Sequence, residues 1–162
     1  MLSKEKIPPE HLAMMYNMAD CTVNIADAEG FGLSSLESLS CGTPVINTMT
    51  GGLQEQVTDG KNWFGVGIEP SSKAIIGSLE VPYIYEDRIS GQDVVSAFEK
   101  MLNLSDKERQ KMIDGGIKHV QKNYSFDSYV DGWDKIFDDV VDKNGSWKTR
   151  KSYKPWKSLE VL

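Results

Sequence analysis

The sequence predicts an α/β domain built on a parallel sheet, and three observations predict it. Short β-rich runs alternate with helical runs in the order helix–strand–helix–strand–helix over the first sixty residues, the order that a parallel sheet with crossover helices requires. Glycine or proline punctuates each later junction: Gly30 and Gly32, Gly42 and Pro44, Gly51 and Gly52, Gly60. The length, 162 residues, suits one domain, whose folding removes about 70% of the unfolded surface from water.

Each element has its own local reason. Pro8 and Pro9 fit a helix start. Leu12, Met15, Tyr16 and Ala19 then fall at helical spacing and predict a buried face. Residues 21–26, CTVNIA, read as a strand. Residues 32–40 read as a helix, with Gly42 just past its end and Pro44 barring continuation. Residues 45–48, VINT, are the next strand, and residues 53–57 a short helix after a Gly51-Gly52 turn. Asp59-Gly60 is a further turn. Residues 62–90 carry the weakest pattern: short strands are expected at 63–66 and 83–85, with a loop between them. Ser90 with Asp93, and Ser105 with Glu108, form capping boxes. The first opens a helix carrying Val94, Val95, Phe98, Met101 and Leu102; the second opens one with Met112, Ile113, Ile117 and Val120 on one face. Ser125 starts a last helix with Tyr129, Val130, Trp133, Ile136, Phe137, Val140 and Val141 on one side and Asp127, Asp131, Asp134 and Asp138 on the other.

Composition excludes several classes. Residues 1–142 hold 12 basic and 23 acidic side chains, whereas residues 143–162 hold six basic and one acidic. So acidic a body is a poor partner for nucleic acid, whose phosphates need cations. Cys21 and Cys41 give neither a disulfide framework nor metal spacing, and read as small buried hydrophobes of a reducing compartment. No apolar run approaches the ~20 residues of a membrane helix. With no signal peptide evident, the expected location is cytoplasmic. His11 and His119 stand alone and read as surface histidines.

The chemistry concentrates in residues 28–46, AEGFGLSSLESLSCGTPVI. Ligands of open α/β sheets sit at the carboxyl ends of strands, where helices begin. Gly30 and Gly32 allow a backbone to approach a ligand closely. The N–H groups of Phe31, Gly32 and Leu33 lie at a helix start and suit an anion, most naturally a phosphate. Glu37 follows Leu33 by four residues and shares its side of the helix. Like charges repel, so its partner there is not the anion; a ribose diol, donating two hydrogen bonds, fits. Glu29 stands at the mouth of the turn, where it meets another polyol such as a sugar. A phosphate between two hydroxyl-bearing groups describes a nucleoside diphosphate sugar.

The same residues resemble the donor-binding motif of the retaining GT-B fold glycosyltransferases, the glycosyl transferases group 1. Glu29-Gly-Phe-Gly-Leu33, Leu36-Glu37, Cys41-Gly-Thr-Pro-Val-Ile46, Gly51-Gly52, Glu55 and Asp59-Gly60 follow that family's pattern of two glutamates eight apart, a Gly-x-Pro turn, a glycine pair and an Asp-Gly turn. Upstream, PPEHLAMMYNMADCTVNI is similar to its proline, short helix, tyrosine, Ala-Asp and strand. The resemblance runs from about residue 8 to 60, and loosely to 141. It implies a Rossmann-like sheet, here the incomplete C-terminal half of a GT-B fold: residues 1–142 a partial donor domain, residues 143–162 a basic aromatic tail. It implies that Glu37 binds the donor ribose, that the backbone of Gly30, Phe31, Gly32 and Leu33 holds the diphosphate, and that Glu29 is the catalytic-side carboxylate at the transferred sugar. A hexosyl group would pass from a nucleotide sugar to an unknown acceptor with retention of configuration. No metal or other cofactor is expected, the helix terminus replacing a cation. An N-terminal acceptor domain, in cis or in trans, is an expected partner, together with the family's upstream Arg and Lys.

Plainer readings hold for other residues. Gly51-Gly52 reads as a structural turn, Glu55 as a first-turn helix residue, and the acidic helix face as a solvated one. The tail, with Trp147, Tyr153 and Trp156 among lysines, admits a mobile segment, docking on an N-terminal domain, or an anionic membrane surface. Two rival functions keep the fold: a catalytically incomplete remnant or interaction module, and a nucleotide-sugar epimerase.

Overall fold

The computed structural model describes residues 6–151. The chain divides into two units, residues 1–122 and 123–162. Residues 152–162, with Tyr153 and Trp156 of the tail, lie outside the described residues.

Unit 1 is the α/β body. Its elements run α1 (Pro9–Asn17), β1 (Thr22–Asn24), α2 (Leu33–Ser40), β2 (Val45–Thr48), α3 (Leu53–Val57), β3 (Gly65–Ile68), β4 (Ser72–Ile76), β5 (Ile84–Arg88), α4 (Gly91–Leu102) and α5 (Asp106–Asn123), whose last residue falls past the boundary. The sheet order is β1-β2-β3, all parallel, with Val23 opposite Ile46 and Ile46 opposite Val66. Among the described residues β1 is paired on one edge only.

Alternation along β2 divides the core. Every residue of β2 is buried, as a central parallel strand demands. Ile46 joins Val66, Ile68, Ala97 and Met101 in one cluster. Val45 joins Leu39, Val57 and Phe64 in the other. Helices therefore cover both faces, α2 and α3 on one and α4 on the other. α5 reaches both clusters, with Met112 at the first and Val120 at the second.

α2 is fastened mainly by small polar residues. Ser35 and Ser38 are fully buried, which lets the helix lie close to the sheet. Buried hydroxyls need partners: Ser35 Oγ donates to Asn47 Oδ1 at 3.1 Å, and Ser38 Oγ lies 2.7 Å from Thr22 Oγ1 and 2.9 Å from the Thr43 carbonyl oxygen. The helix ends as its glycine predicts. Gly42 N–H donates to the Leu39 carbonyl and Thr43 N–H to the Ser38 carbonyl, the paired closure of a Schellman motif. Both predicted capping boxes form: Ser90 with Asp93, and Ser105 with Glu108.

Three expectations are corrected. Between β3 and α4 the chain forms an antiparallel hairpin, β4 with β5, instead of a loop before one short strand. Its strands expose Ile75, Ile76, Ile84 and Tyr85, so no clean alternation announced them. The face predicted for α1 is not buried: Met15 and Ala19 are exposed, and Leu12 and Tyr16 are half-buried, because α1 packs on α2 and not over the sheet. In α4 the buried residues are Ala97 and Met101, while Val95, Phe98 and Leu102 stay exposed. Small Ala97 permits close approach to Val66 and Ile68, which turns the larger side chains outward.

Unit 2 contains α6 (Phe126–Asn144), capped by Ser125, whose hydroxyl accepts from Ser128 N–H. Tyr129, Trp133 and Phe137 line one side and contact each other in sequence. Within that unit no residue of α6 is buried. Beyond it the Arg150 guanidinium stacks 3.7 Å from the Trp147 ring centre.

Candidate functional site: the loop after β1 and the start of α2

β1 ends at Asn24, whose side-chain oxygen accepts from Ala26 N–H at 3.2 Å and turns the chain. Residues 25–32 then lead into α2 across the carboxyl edge of the sheet, where open α/β folds place ligands. Two other segments hold this loop.

The base of the β4–β5 hairpin is the first. Asp87 N–H donates to the Asp27 carbonyl at 2.8 Å, and the Arg88 guanidinium lies 2.9 Å from the Asp27 carboxylate. Its other nitrogen lies 2.6 Å from Glu86. The hydrogen bond to Glu86, with both carboxylates nearby, raises the Arg88 pKa above its ordinary value.

The Gly51-Gly52 turn after β2 is the second. Gly52 N–H donates to the Glu29 carbonyl at 3.3 Å. A Cβ on Gly51 would stand 1.8 Å from the Glu29 carbonyl oxygen, and one on Gly52 would stand 2.6 Å from Phe31 Cα and 2.7 Å from the Gly30 carbonyl oxygen. Backbone lies on backbone here, and only glycine fits. The structural-turn reading of this pair therefore understated it, since the turn sets the position of residues 29–31. Buried Gln56 adds a long hydrogen bond, 3.5 Å, from its side-chain amide to the Phe31 carbonyl.

Gly32 is the N-cap of α2, with φ +88° and no side-chain cap. A Cβ there would meet Leu53 Cδ2 at 2.6 Å. An uncapped helix start leaves backbone N–H groups without intrahelical partners. Gly32 is buried, but Phe31 and Leu33 on either side are exposed. Glu29 is half-buried in the loop. Gly30 is exposed, and a Cβ added there would meet nothing within 4 Å.

Glu37 lies one turn beyond Leu33 on the exposed side of α2. Its Oε2 accepts a hydrogen bond from the Tyr16 hydroxyl at 3.0 Å. Partial burial, and then the Glu37 hydrogen bond and charge, push the Tyr16 phenol up to about 12. Burial first, and then the Glu37 charge, raise the Cys41 thiol above its ordinary value. The structure thus places Glu29, Gly30, Phe31 and Gly32 in one fixed loop, and Leu33 and Glu37 on the helix that follows it. Residue spacing alone missed Tyr16, the Gly51-Gly52 clamp, Gln56 and the Asp27–Arg88 pair. No local pattern marked them, since each makes its contact with a segment distant in sequence.

A separate shallow cavity of about 230 Å³ opens beside β3 and α4, lined by Glu69, Asp93, Ser96 and Lys100. None of the motif residues lines it. Among the described residues no three His, Cys, Asp or Glu side chains gather as a metal site, and no helix is long and apolar enough to cross a membrane.

A parallel α/β sheet with a glycine-bounded loop and an uncapped helix start at its carboxyl edge is the layout in which open α/β folds place their ligands. The comparisons narrow it. Residues 4–89 match the family Glycosyl transferases group 1, and the chain belongs to that family. It is 38% identical over 87 residues to a D-inositol 3-phosphate glycosyltransferase of Acidothermus cellulolyticus, covering 52% of this chain and 19% of that protein. A protein of the same description from Thermomonospora curvata is 28% identical over 137 residues, 83% of this chain and 25% of the other. Sucrose-phosphate synthase from Thermosynechococcus elongatus shares the fold with a TM-score of 0.60 at 21% identity, over 85% of this chain and 29% of that one. The chain therefore spans about a fifth to a quarter of the length of the two glycosyltransferase relatives.

Proposed function

We propose that this chain is the donor-binding part of a retaining hexosyltransferase that uses a nucleoside diphosphate sugar. In this reading Glu37 accepts hydrogen bonds from the ribose hydroxyls. The N–H groups at the start of α2 hold the diphosphate and stabilise it as the leaving group. Glu29 contacts the transferred sugar. The observation that carries the reading is the clamp of Gly51-Gly52 on residues 29–31, which presents an uncapped helix start beside the exposed Glu37.

Transfer in this reading also needs an acceptor-binding domain, supplied in cis or in trans. One observation favours further chain at this sheet: among the described residues β1 is paired on one edge only, while Val23, Ile25, Met14 and Met15 of α1, and Met18 just past its end are exposed. An open strand edge flanked by apolar side chains is a pairing surface.

The magnitudes predict weak binding by the 162-residue chain alone. An anion at a helix start gains about 0.3–2 kcal/mol, and hydrogen bonds to a charged group contribute about 1.5–3 kcal/mol. Together these barely reach the ~4 kcal/mol of a millimolar site. The test is an NMR titration with UDP, GDP and ADP, following the amides of Phe31, Gly32 and Leu33. One of the three is expected to shift them at millimolar concentration, and Glu37→Ala to abolish most of the effect. Unchanged binding by Glu37→Ala would remove the ribose assignment.

A further inference from the structure

We propose that Tyr16 is a positioning residue for Glu37, holding the carboxylate in the orientation that receives the donor ribose; this rests on the ribose assignment above.

The geometry fixes Tyr16 from two sides. At its backbone, the carbonyl accepts from the Thr43 hydroxyl at 2.8 Å, and Thr43 is buried just past the end of α2. At its tip, the hydroxyl donates to Glu37 Oε2 at 3.0 Å. Tyr16 thus ties the last turn of α1 to α2 at Glu37 and to the turn just beyond α2 at Thr43. A glutamate on an exposed helix face is free to sample several rotamers, and a donor held from a neighbouring helix removes much of that freedom before a ligand arrives. Preorganisation of this kind raises affinity without adding a ligand contact. Oε2 accepts the phenol hydrogen bond, which leaves Oε1 and the remaining lone pairs for a diol. The phenol, pushed up to about 12, stays a donor throughout the neutral range.

The test uses the whole 162-residue chain. The probes are UDP, GDP and ADP, their 2′,3′-dideoxy counterparts, and inorganic pyrophosphate, each followed by NMR titration. Tyr16→Phe keeps the ring and removes only the hydroxyl. It is expected to weaken the preferred ribose-bearing diphosphate about three- to tenfold. Dideoxy and pyrophosphate binding should not change, and Tyr16→Phe should add nothing to Glu37→Gln in the double variant. In a separate titration, Glu37→Gln is expected to lower the Tyr16 phenol from about 12 toward the ordinary 10.0.

Equal weakening of all probes by Tyr16→Phe would mean a purely structural hydroxyl and would overturn the proposal. Weakening by Glu37→Gln but not by Tyr16→Phe would overturn the Tyr16 role and leave the ribose assignment standing. A wild-type chain that binds ribose and dideoxy forms alike, or binds neither, would remove the ribose assignment and the Tyr16 role together.

Discussion

Gly52 lies under Phe31: a Cβ on Gly52 would stand 2.6 Å from Phe31 Cα, and the Gly52 amide already donates to the Glu29 carbonyl at 3.3 Å. Gly52→Ala must therefore push the 29–31 loop off the β2 turn. The expected cost is about 1–3 kcal/mol, as for other overpacked sites, together with loss of donor binding. Thermal unfolding and nucleotide titration of the variant check both. An unshifted melting midpoint would show that the loop yields easily and that the clamp does not set its position.

Gly30 gives the converse case. It has no positive φ, and a Cβ there would meet nothing within 4 Å. Gly30→Ala is expected to leave stability unchanged or to raise it by up to about 1 kcal/mol through the unfolded chain. If the loop receives a diphosphate, the added methyl should still weaken nucleotide binding. Retained stability with weakened binding separates a ligand-facing glycine from a merely permissive one; unaltered binding would show that no ligand approaches there.

The Asp59 turn makes a pH prediction. Hydrogen bonds from the Asn62 backbone, the Asn62 side chain and the Lys61 backbone hold its carboxyl down at about 2. A depressed carboxylate contributes stability that is complete above the ordinary 3.8 and is lost as pH falls toward about 2. Asp59→Ala should lower the melting midpoint at neutral pH and flatten its fall between about pH 5 and pH 2. Asp93 and Glu108, lowered by their serine caps, keep some acid slope in the variant. An unchanged slope would show that the turn contributes nothing.

Leu39 seats α2. It is 1% exposed and packs with Val45, Val57 and Phe64. Leu39→Ala should cost about 2–5 kcal/mol. It should also loosen donor binding, because α2 carries both the proposed anion-binding start and Glu37. Chemical denaturation measures the first effect, and titration under stabilising conditions the second.

The limits of α2 were legible because they are local. Gly32 opens it, Gly42 closes it, and Pro44 bars its continuation. The two capping boxes were equally legible, since Ser90 with Asp93 and Ser105 with Glu108 find their partners three residues away. β2 was legible because a buried parallel strand reads as a short apolar run between turns. The β4–β5 hairpin was not: its strands expose residues on both sides, so period-two patterning is absent. The packing of α1 was misread because apolar spacing defines a helical face without saying what covers it.

By itself the sequence determined where the chain turns around α2 and the 45–48 strand, and which loop is glycine-rich and bounded by two carboxylates. Those features depend on backbone preference and on partners a few residues apart. Tertiary structure alone decided that Gly51 and Gly52 fit under Glu29 and Phe31, that Arg88 reaches Asp27, and that Tyr16 reaches Glu37 across 21 residues. Each of these contacts joins segments that meet only after the parallel crossovers are made. No local propensity encodes them; the close approach of packed backbones does.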